Sequence, residues 1–330
     1  MALSKHTIRW QLVVLISSFL IVIVKFLAYW YTHSTAIFSD ALESIVNVIT
    51  GAFGLYSILL ATIPKDENHP YGHGKIEFIS AALEGLLITI AGIAIILKAI
   101  YNGFYPVEMV KLDLGIYLSI ATAVVNYIIG YTVIKQGKIY NSATLIASGE
   151  HVRSDAYSTF GVCAGLIAVI YTRTTWIDLV IAMLFGGMIT YIGIRIVRRS
   201  SAALMDEADY QLLTNVVAIL KKYKHPEWID IHNLRIIKYG INIHIDCHLT
   251  LPWYLNLVES HAEVEEVEQL IQQHFEHIEI FIHTDPCIKD SCQICLVQNC
   301  PLRQQAFLKE QEWNLECLLK NKKHTINSVE

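Results

Sequence analysis

The sequence predicts an α-helical membrane protein with six transmembrane helices and a C-terminal α+β domain of order α-β-β-α-β. Three observations lead there. The apolar residues crowd into the first two hundred positions, six runs within them are long enough to cross a bilayer, and the polar tail alternates between helical and strand periodicity. Of 330 residues, 54% are hydrophobic and only 17% charged, an asymmetry that separates a membrane part from a soluble one.

A helix needs about 20 largely apolar residues to span the hydrocarbon layer. Runs of that length extend over Ile8–Tyr31, Ala36–Ile63, Phe78–Tyr101, Leu114–Ile134, Ser142–Tyr171 and Trp176–Ile196. The first is far longer than the apolar stretch of a cleavable signal peptide and counts as a span.

Basic residues resist translocation, so their distribution orients the bundle. With both termini in the cytoplasm, Lys5, Arg9, Lys65, Lys75, Lys135, Lys138, Arg195, Arg198 and Arg199 lie inside, and Lys98, Lys111 and Arg173 outside. Nine against three predicts an integral protein of the cytoplasmic membrane with both ends inside, set in a lipid bilayer. The net charge of −5 is mild and spread out, so nothing points to nucleic acid.

After the membrane domain (residues 1–205), residues 206–286 read as a small globular domain. Leu212, Val216, Ile219 and Leu220 recur at helical spacing and predict a helix over Asp209–Tyr223. Ile229–Ile237 and Ile241–Leu249 alternate in the manner of strands and are joined at Tyr239-Gly240, a hairpin signal. Leu257–Phe275 reads as a second helix and Ile278–His283 as a third strand, giving helices on one face of a sheet. Residues 287–330 form a cysteine-containing extension.

Several clusters carry metal-capable chemistry. The second span holds Asp40, Glu43 and Asn47, and the fifth holds His151 and Asp155. Residues four apart on a helix project from one face about 5–6 Å apart, so each helix offers a pair of donors to a neighbour. Ionisable groups inside a span are costly and face partners or water-filled cavities; polar residues gluing helices together are the plainer alternative. Between spans two and three, Asp66, His69 and His73 share a short glycine-rich loop that suits nitrogen and oxygen coordination, or else forms an ordinary polar turn.

In the tail, His232, His248, His261, His283 and Asp285 are spread over three strands and a helix, and each alone would pass for an ordinary surface or packed residue. Of seven cysteines, Cys163 lies in the fifth span and six lie after Arg199, where thiols are normally reduced. Cys287-x4-Cys292-x2-Cys295-x4-Cys300 could close a tetrahedral zinc site, though only one pair has knuckle spacing; free thiols or a redox role are the alternatives. Cys247 and Cys317 have no evident companion.

Taken together, the residues resemble the cation diffusion facilitator family from the first span through Pro286. The most specific elements are Asp66-Glu-Asn-His69-Pro-Tyr-Gly-His73-Gly-Lys75, His151-x3-Asp155 and His283-Thr-Asp285-Pro-Cys287. The resemblance implies a homodimer that exports a divalent metal cation in exchange for protons by alternating access. It implies a transport site between spans two and five, a second site on Asp66, His69 and His73, and a third on His232, His248, His261, His283 and Asp285 at the dimer interface. It also implies a ferredoxin-like, metallochaperone-like tail domain, a charge interlock between Lys75 and Asp206, and no enzymatic activity.

One departure concerns the transport site, where Glu43 and Asn47 stand at positions that relatives generally fill with Asp or His followed by Asp. Asp40 could supply the missing charge. The oxygen-rich set suits manganese or iron better than a thiol-rich set would, with zinc or cobalt open as well; zinc is the ion expected first. A membrane-bound metal sensor signalling through its tail is the alternative; a metalloprotease is disfavoured because no span carries H-E-x-x-H.

Overall fold

Six long helices occupy the first part of the chain: α1 (Ala2–Thr32), α2 (Thr35–Ala61), α3 (Ile76–Phe104), α4 (Leu114–Ile139), α5 (Ala143–Thr172) and α6 (Trp176–Leu204). In this computed structural model the described residues are 2–32, 35–104, 114–172, 176–240, 242–275 and 277–325. Lys111 and Arg173 lie outside them, as do the side chains of Asp40, Glu43 and Cys163. The chain divides into two compact units, Met1–Met205 and Asp206–Glu330.

The first unit is an inside-out globule. Phe19, Ile90, Leu97, Ile128 and Leu184 are exposed, whereas Gln11, Ser57, Glu84 and Thr144 are buried. Lipid-facing apolar side chains and polar groups satisfied within the bundle are what a bilayer demands of a spanning protein. Lys5–Leu27, Ile76–Tyr101 and Leu179–Leu204 are each long and apolar enough to cross a membrane by length and composition.

Small residues set the helix spacing. Gly85 and Gly92 on α3 face Gly193 and Gly186 on α6, and a Cβ on Gly193 would come within 2.7 Å of the Gly85 carbonyl oxygen. Packing of this closeness replaces the hydrophobic drive that lipid cannot provide between helices.

In the second unit, α7 (Tyr210–Lys222) starts at Asp209, whose side chain accepts the Leu212 N–H at 3.0 Å. Strands β1 (Asp230–Tyr239) and β2 (Asn242–Leu251) pair antiparallel, with Gly240 at φ 66° in the connection. A capping box of Asn256 and Glu259 opens α8 (Leu257–Gln272). The chain then returns as β3 (Ile278–Pro286), parallel to β2, in sheet order β1-β2-β3. A parallel neighbour needs a crossover, and α8 is that crossover.

Leu213, Val216 and Leu220 of α7 and Val267 and Ile271 of α8 meet Ile231, Leu234, Ile245 and Leu249 of the sheet in one core. The element order matches the sequence expectation, with α8 ending at Gln272 rather than Phe275 and β3 continuing through Pro286.

The residues expected as an extension fold onto this same core. A short 3-10 helix (Lys289–Gln293) follows β3, and α9 (Leu315–Leu319) packs Cys317 and Leu318 beside Trp313 in the cluster that holds α7 and the sheet. The Lys320 carbonyl accepts the Asn233 N–H at 2.8 Å, which ties the segment to β1 where that strand's register shifts.

Candidate metal centres

In the membrane unit, Asn47 of α2 joins both predicted donors of α5. Its Oδ1 lies 2.9 Å from His151 Nε2, and its Nδ2 donates to Asp155 Oδ2. His151 and Asp155 sit one helical turn apart and face α2 together. The three side chains are buried or half-buried. Val14, Thr50, Gly51 and Ser148 line the small cleft beside Asn47 and His151. An amide, an imidazole and a carboxylate thus meet between α2 and α5. Glu43 stands one turn before Asn47 on α2, and its side chain lies outside the described residues, as does that of Asp40.

The sequence reading missed the polar layer next to this site. Ser148, one turn before His151, donates to Glu84 Oε1 at 2.7 Å and accepts from Gln11 Nε2 at 3.1 Å, and Gln11 also donates to the Gly51 carbonyl. Glu84 is 1% exposed, and its Oε2 has no hydrogen-bond partner among the described residues. A carboxyl group within the apolar third span was the available signal, since such groups mark functional sites in membranes.

The loop after α2 brings Asp66, His69 and His73 together, with one donor atom of each within 4.8 Å of the others. Asp66 Oδ1 lies 3.0 Å from His69 Nδ1, and Oδ2 lies 3.4 Å from His73 Nε2. Gly72, at φ 85°, makes the turn that brings His73 back, and its N–H donates to the His69 carbonyl at 2.9 Å. Desolvation works to raise the Asp66 pKa, but hydrogen bonds from His69 and the nearby imidazoles hold the carboxyl below its ordinary range.

In the α+β unit the sheet register assembles the third group. His232 pairs with His248 across β1 and β2, and His248 with His283 across β2 and β3. Directly opposed residues share a sheet face. Asp285 Oδ2 lies 3.0 Å from His248 Nδ1 and 3.5 Å from His232 Nε2. The His283 ring lies tilted against that of His248 at 4.7 Å between centroids, and its Nε2 is 4.0 Å from Asp285 Oδ1. His261 stands apart on α8, exposed and 3.4 Å from Glu265.

Two further residues of the C-terminal segment, neither of them marked by any sequence motif, reach this group. Lys323 Nζ lies 3.4 Å from Asp285 Oδ1 and donates to the Pro286 carbonyl at 2.9 Å. His324 Nδ1 lies 2.6 Å from Asp230 Oδ1, and Asp230 Oδ2 lies 3.2 Å from His232 Nδ1. Asp230 thus sits behind a ring whose other nitrogen faces Asp285, the place an outer carboxylate takes behind metal-ligating histidines. Burial opposes ionisation of Asp230, yet its two imidazole partners bring its pKa down to about 2. Burial likewise opposes protonation of His324, and Asp230 and Cys317 overcome it, raising His324 to about 10.

Cys287, Cys292, Cys295 and Cys300 line one cleft of about 330 Å³ and are free thiols. Cys247 and Cys317 are buried in the main core. His225, Glu263 and Glu266 form another close group on the surface, unanticipated from the sequence.

Six long helices with an imidazole, an amide and a carboxylate meeting between two of them, followed by a sheet domain with its own imidazole–carboxylate cluster, put nitrogen and oxygen donors in both units. Sequence comparison agrees. The profile of the cation efflux transmembrane domain matches residues 11–205, and that of the cation efflux protein cytoplasmic domain matches residues 208–287. The chain belongs to the cation diffusion facilitator family of metal efflux transporters.

Among its relatives, an uncharacterized transporter of Synechocystis is 28% identical over 80% of this chain and 85% of its own. The manganese efflux system protein MneP of Bacillus subtilis is 26% identical over 78% and 88%. The cation-efflux pump FieF of Cronobacter sakazakii is 27% identical over 81% and 89%.

Proposed function

We propose that the chain exports a divalent transition-metal ion from the cytoplasm, in exchange for protons, through a site made by Asn47, His151 and Asp155 with Glu43 as the fourth donor. The observation that carries this reading is the bridging of both α5 donors by Asn47. A helix pair meeting only through structural hydrogen bonds has no need of an imidazole and a carboxylate on one side and an amide reaching both.

Metal and protons compete for the same atoms, because a ligand must be deprotonated to coordinate. Imidazole is the side chain whose ordinary titration falls nearest neutral pH, which suits His151 to exchange one for the other. The donor set contains no sulfur. It suits manganese, iron, cobalt or zinc, with manganese favoured by the oxygen-rich composition and by the name of one relative.

The basic residues of the inner loops support cytoplasmic termini. The exposed His261, away from the cluster in its own chain, supports a homodimer in which a second copy brings an α8 helix to that face. The loop group on Asp66 and the sheet group on Asp285 serve as cytoplasmic receiving and sensing sites.

Purified protein in proteoliposomes with a metal-sensitive dye inside tests this. An outward-directed proton gradient drives manganese or zinc inward with the wild type and does not with Asp155→Ala. Equal uptake by the two would remove the site from the account.

A further inference from the structure

We propose that Cys287, Cys292, Cys295 and Cys300 form an all-thiolate zinc site, separate from the transport path, that clasps the C-terminal segment to the sheet. All four residues line the same cleft, together with Ile229, Pro252 and Trp253 from the strand ends. Cys287 is fixed at one wall, since its N–H donates to the Leu251 carbonyl at 2.9 Å. Cys292 and Cys295 carry the two-residue spacing of a zinc knuckle, and Cys300 closes the loop after them.

Arg303 holds that loop in shape. Its guanidinium donates to the carbonyls of Cys292 at 2.8 Å, Cys295 at 3.1 Å and Val297 at 2.6 Å. The backbone positions of the knuckle are therefore set before any ion binds. Among the described residues no three of these sulfurs lie within 4.8 Å of one another, so ligation at about 2.3 Å has to draw them together across the cleft.

The charge of the cleft fits zinc. Four thiolates around a divalent ion leave a net charge of −2, and the charged residues of the wall are Lys289 and Arg303, with no carboxylate. On binding, zinc takes four sulfur lone pairs and the thiol protons leave to solvent; nothing is oxidised. The site lies at the boundary of the family's matched domain, which ends at 287, and the segment it anchors carries Trp313, Lys323 and His324.

Alkylation of the native full chain in detergent, read cysteine by cysteine by mass spectrometry, tests the site. With zinc bound, Cys287, Cys292, Cys295 and Cys300 react slowly and become several-fold more reactive after a strong chelator. Buried Cys247 and Cys317 stay protected and report that the domain remains folded. Cobalt(II) in place of zinc gives a thiolate-to-metal charge-transfer band that Cys292→Ser/Cys295→Ser lacks. The proposal is overturned if the four cysteines react alike with and without chelator, if they emerge as disulfides, if the protein shows iron–sulfur absorption, or if cobalt gives no thiolate band. Should the double variant fail to fold, the alkylation of wild type decides alone.

Discussion

Lys323 places its ammonium 3.4 Å from Asp285 Oδ1, on the carboxylate whose other oxygen faces His248 and His232. A cation from the chain thus already attends the acidic member of the sheet cluster. A divalent ion bound there must tolerate this ammonium or displace it.

Lys323→Met, which keeps the stem and removes the charge, tightens divalent-ion binding at this cluster roughly fivefold. That corresponds to relief of on the order of 1 kcal/mol of repulsion in a partly exposed site. Calorimetric titration with manganese of the full chain carrying Asp66→Ala, Asp155→Ala, Cys292→Ser and Cys295→Ser isolates the cluster; weaker binding by the lysine variant would show that Lys323 assists the ion.

The Asp230–His324 pair makes the C-terminal unit's stability depend on pH in both directions. Folded His324 keeps its proton up to about pH 10 against an ordinary value of 6.5, so its contribution is complete below about 6.5 and fades as pH rises toward 10. Folded Asp230 stays ionised down to about 2 against 3.8, so its contribution is complete above 3.8 and is lost as pH falls toward 2. In chelator, the melting temperature of the unit, followed by Trp228 and Trp313 fluorescence, falls between pH 6.5 and 9.5 in wild type. His324→Gln starts lower and has a flatter profile. Parallel profiles for the two would contradict the pairing.

Glu84 accepts from Ser148 one turn from His151, inside the bundle. Glu84→Gln keeps the shape and that hydrogen bond but cannot carry a proton. Metal-driven proton flux in proteoliposomes falls roughly tenfold, equivalent to about 1.4 kcal/mol of barrier, while the melting temperature holds. Unchanged flux would reduce Glu84 to a packing element.

Trp313 is 1% exposed in the core shared by α7, the sheet and α9. Trp313→Ala removes about 3–5 kcal/mol of stability, measured by denaturant unfolding of the full chain. A loss below 1 kcal/mol would mean that the segment is a loose appendage.

What the sequence revealed tracks the range of the interactions involved. The six spans were legible because a bilayer imposes a length on each helix, and the tail's hairpin because Gly240 takes a positive φ between two alternating runs. The His232–His248 pairing followed from joining those two strands, and the turn at Gly72 was written into the Asp66–His73 loop.

Contacts between distant segments were not legible. Nothing local marks Trp313, Lys323 or His324 as reaching the sheet, because a five-residue helix carries no periodicity. Glu84 was overlooked for the opposite reason, its single charge being diluted in a strongly apolar run. His261 was grouped with the sheet cluster by resemblance, and within its own chain α8 holds it against Glu265 instead.

Locating the ion is the most direct check on the transport site. Anomalous scattering from crystals of the full chain soaked in manganese should give a peak bounded by Asn47 Oδ1, His151 Nε2 and an oxygen of Asp155, with Glu43 turned to meet it. Occupied loop and sheet clusters with no peak between α2 and α5 would contradict the account.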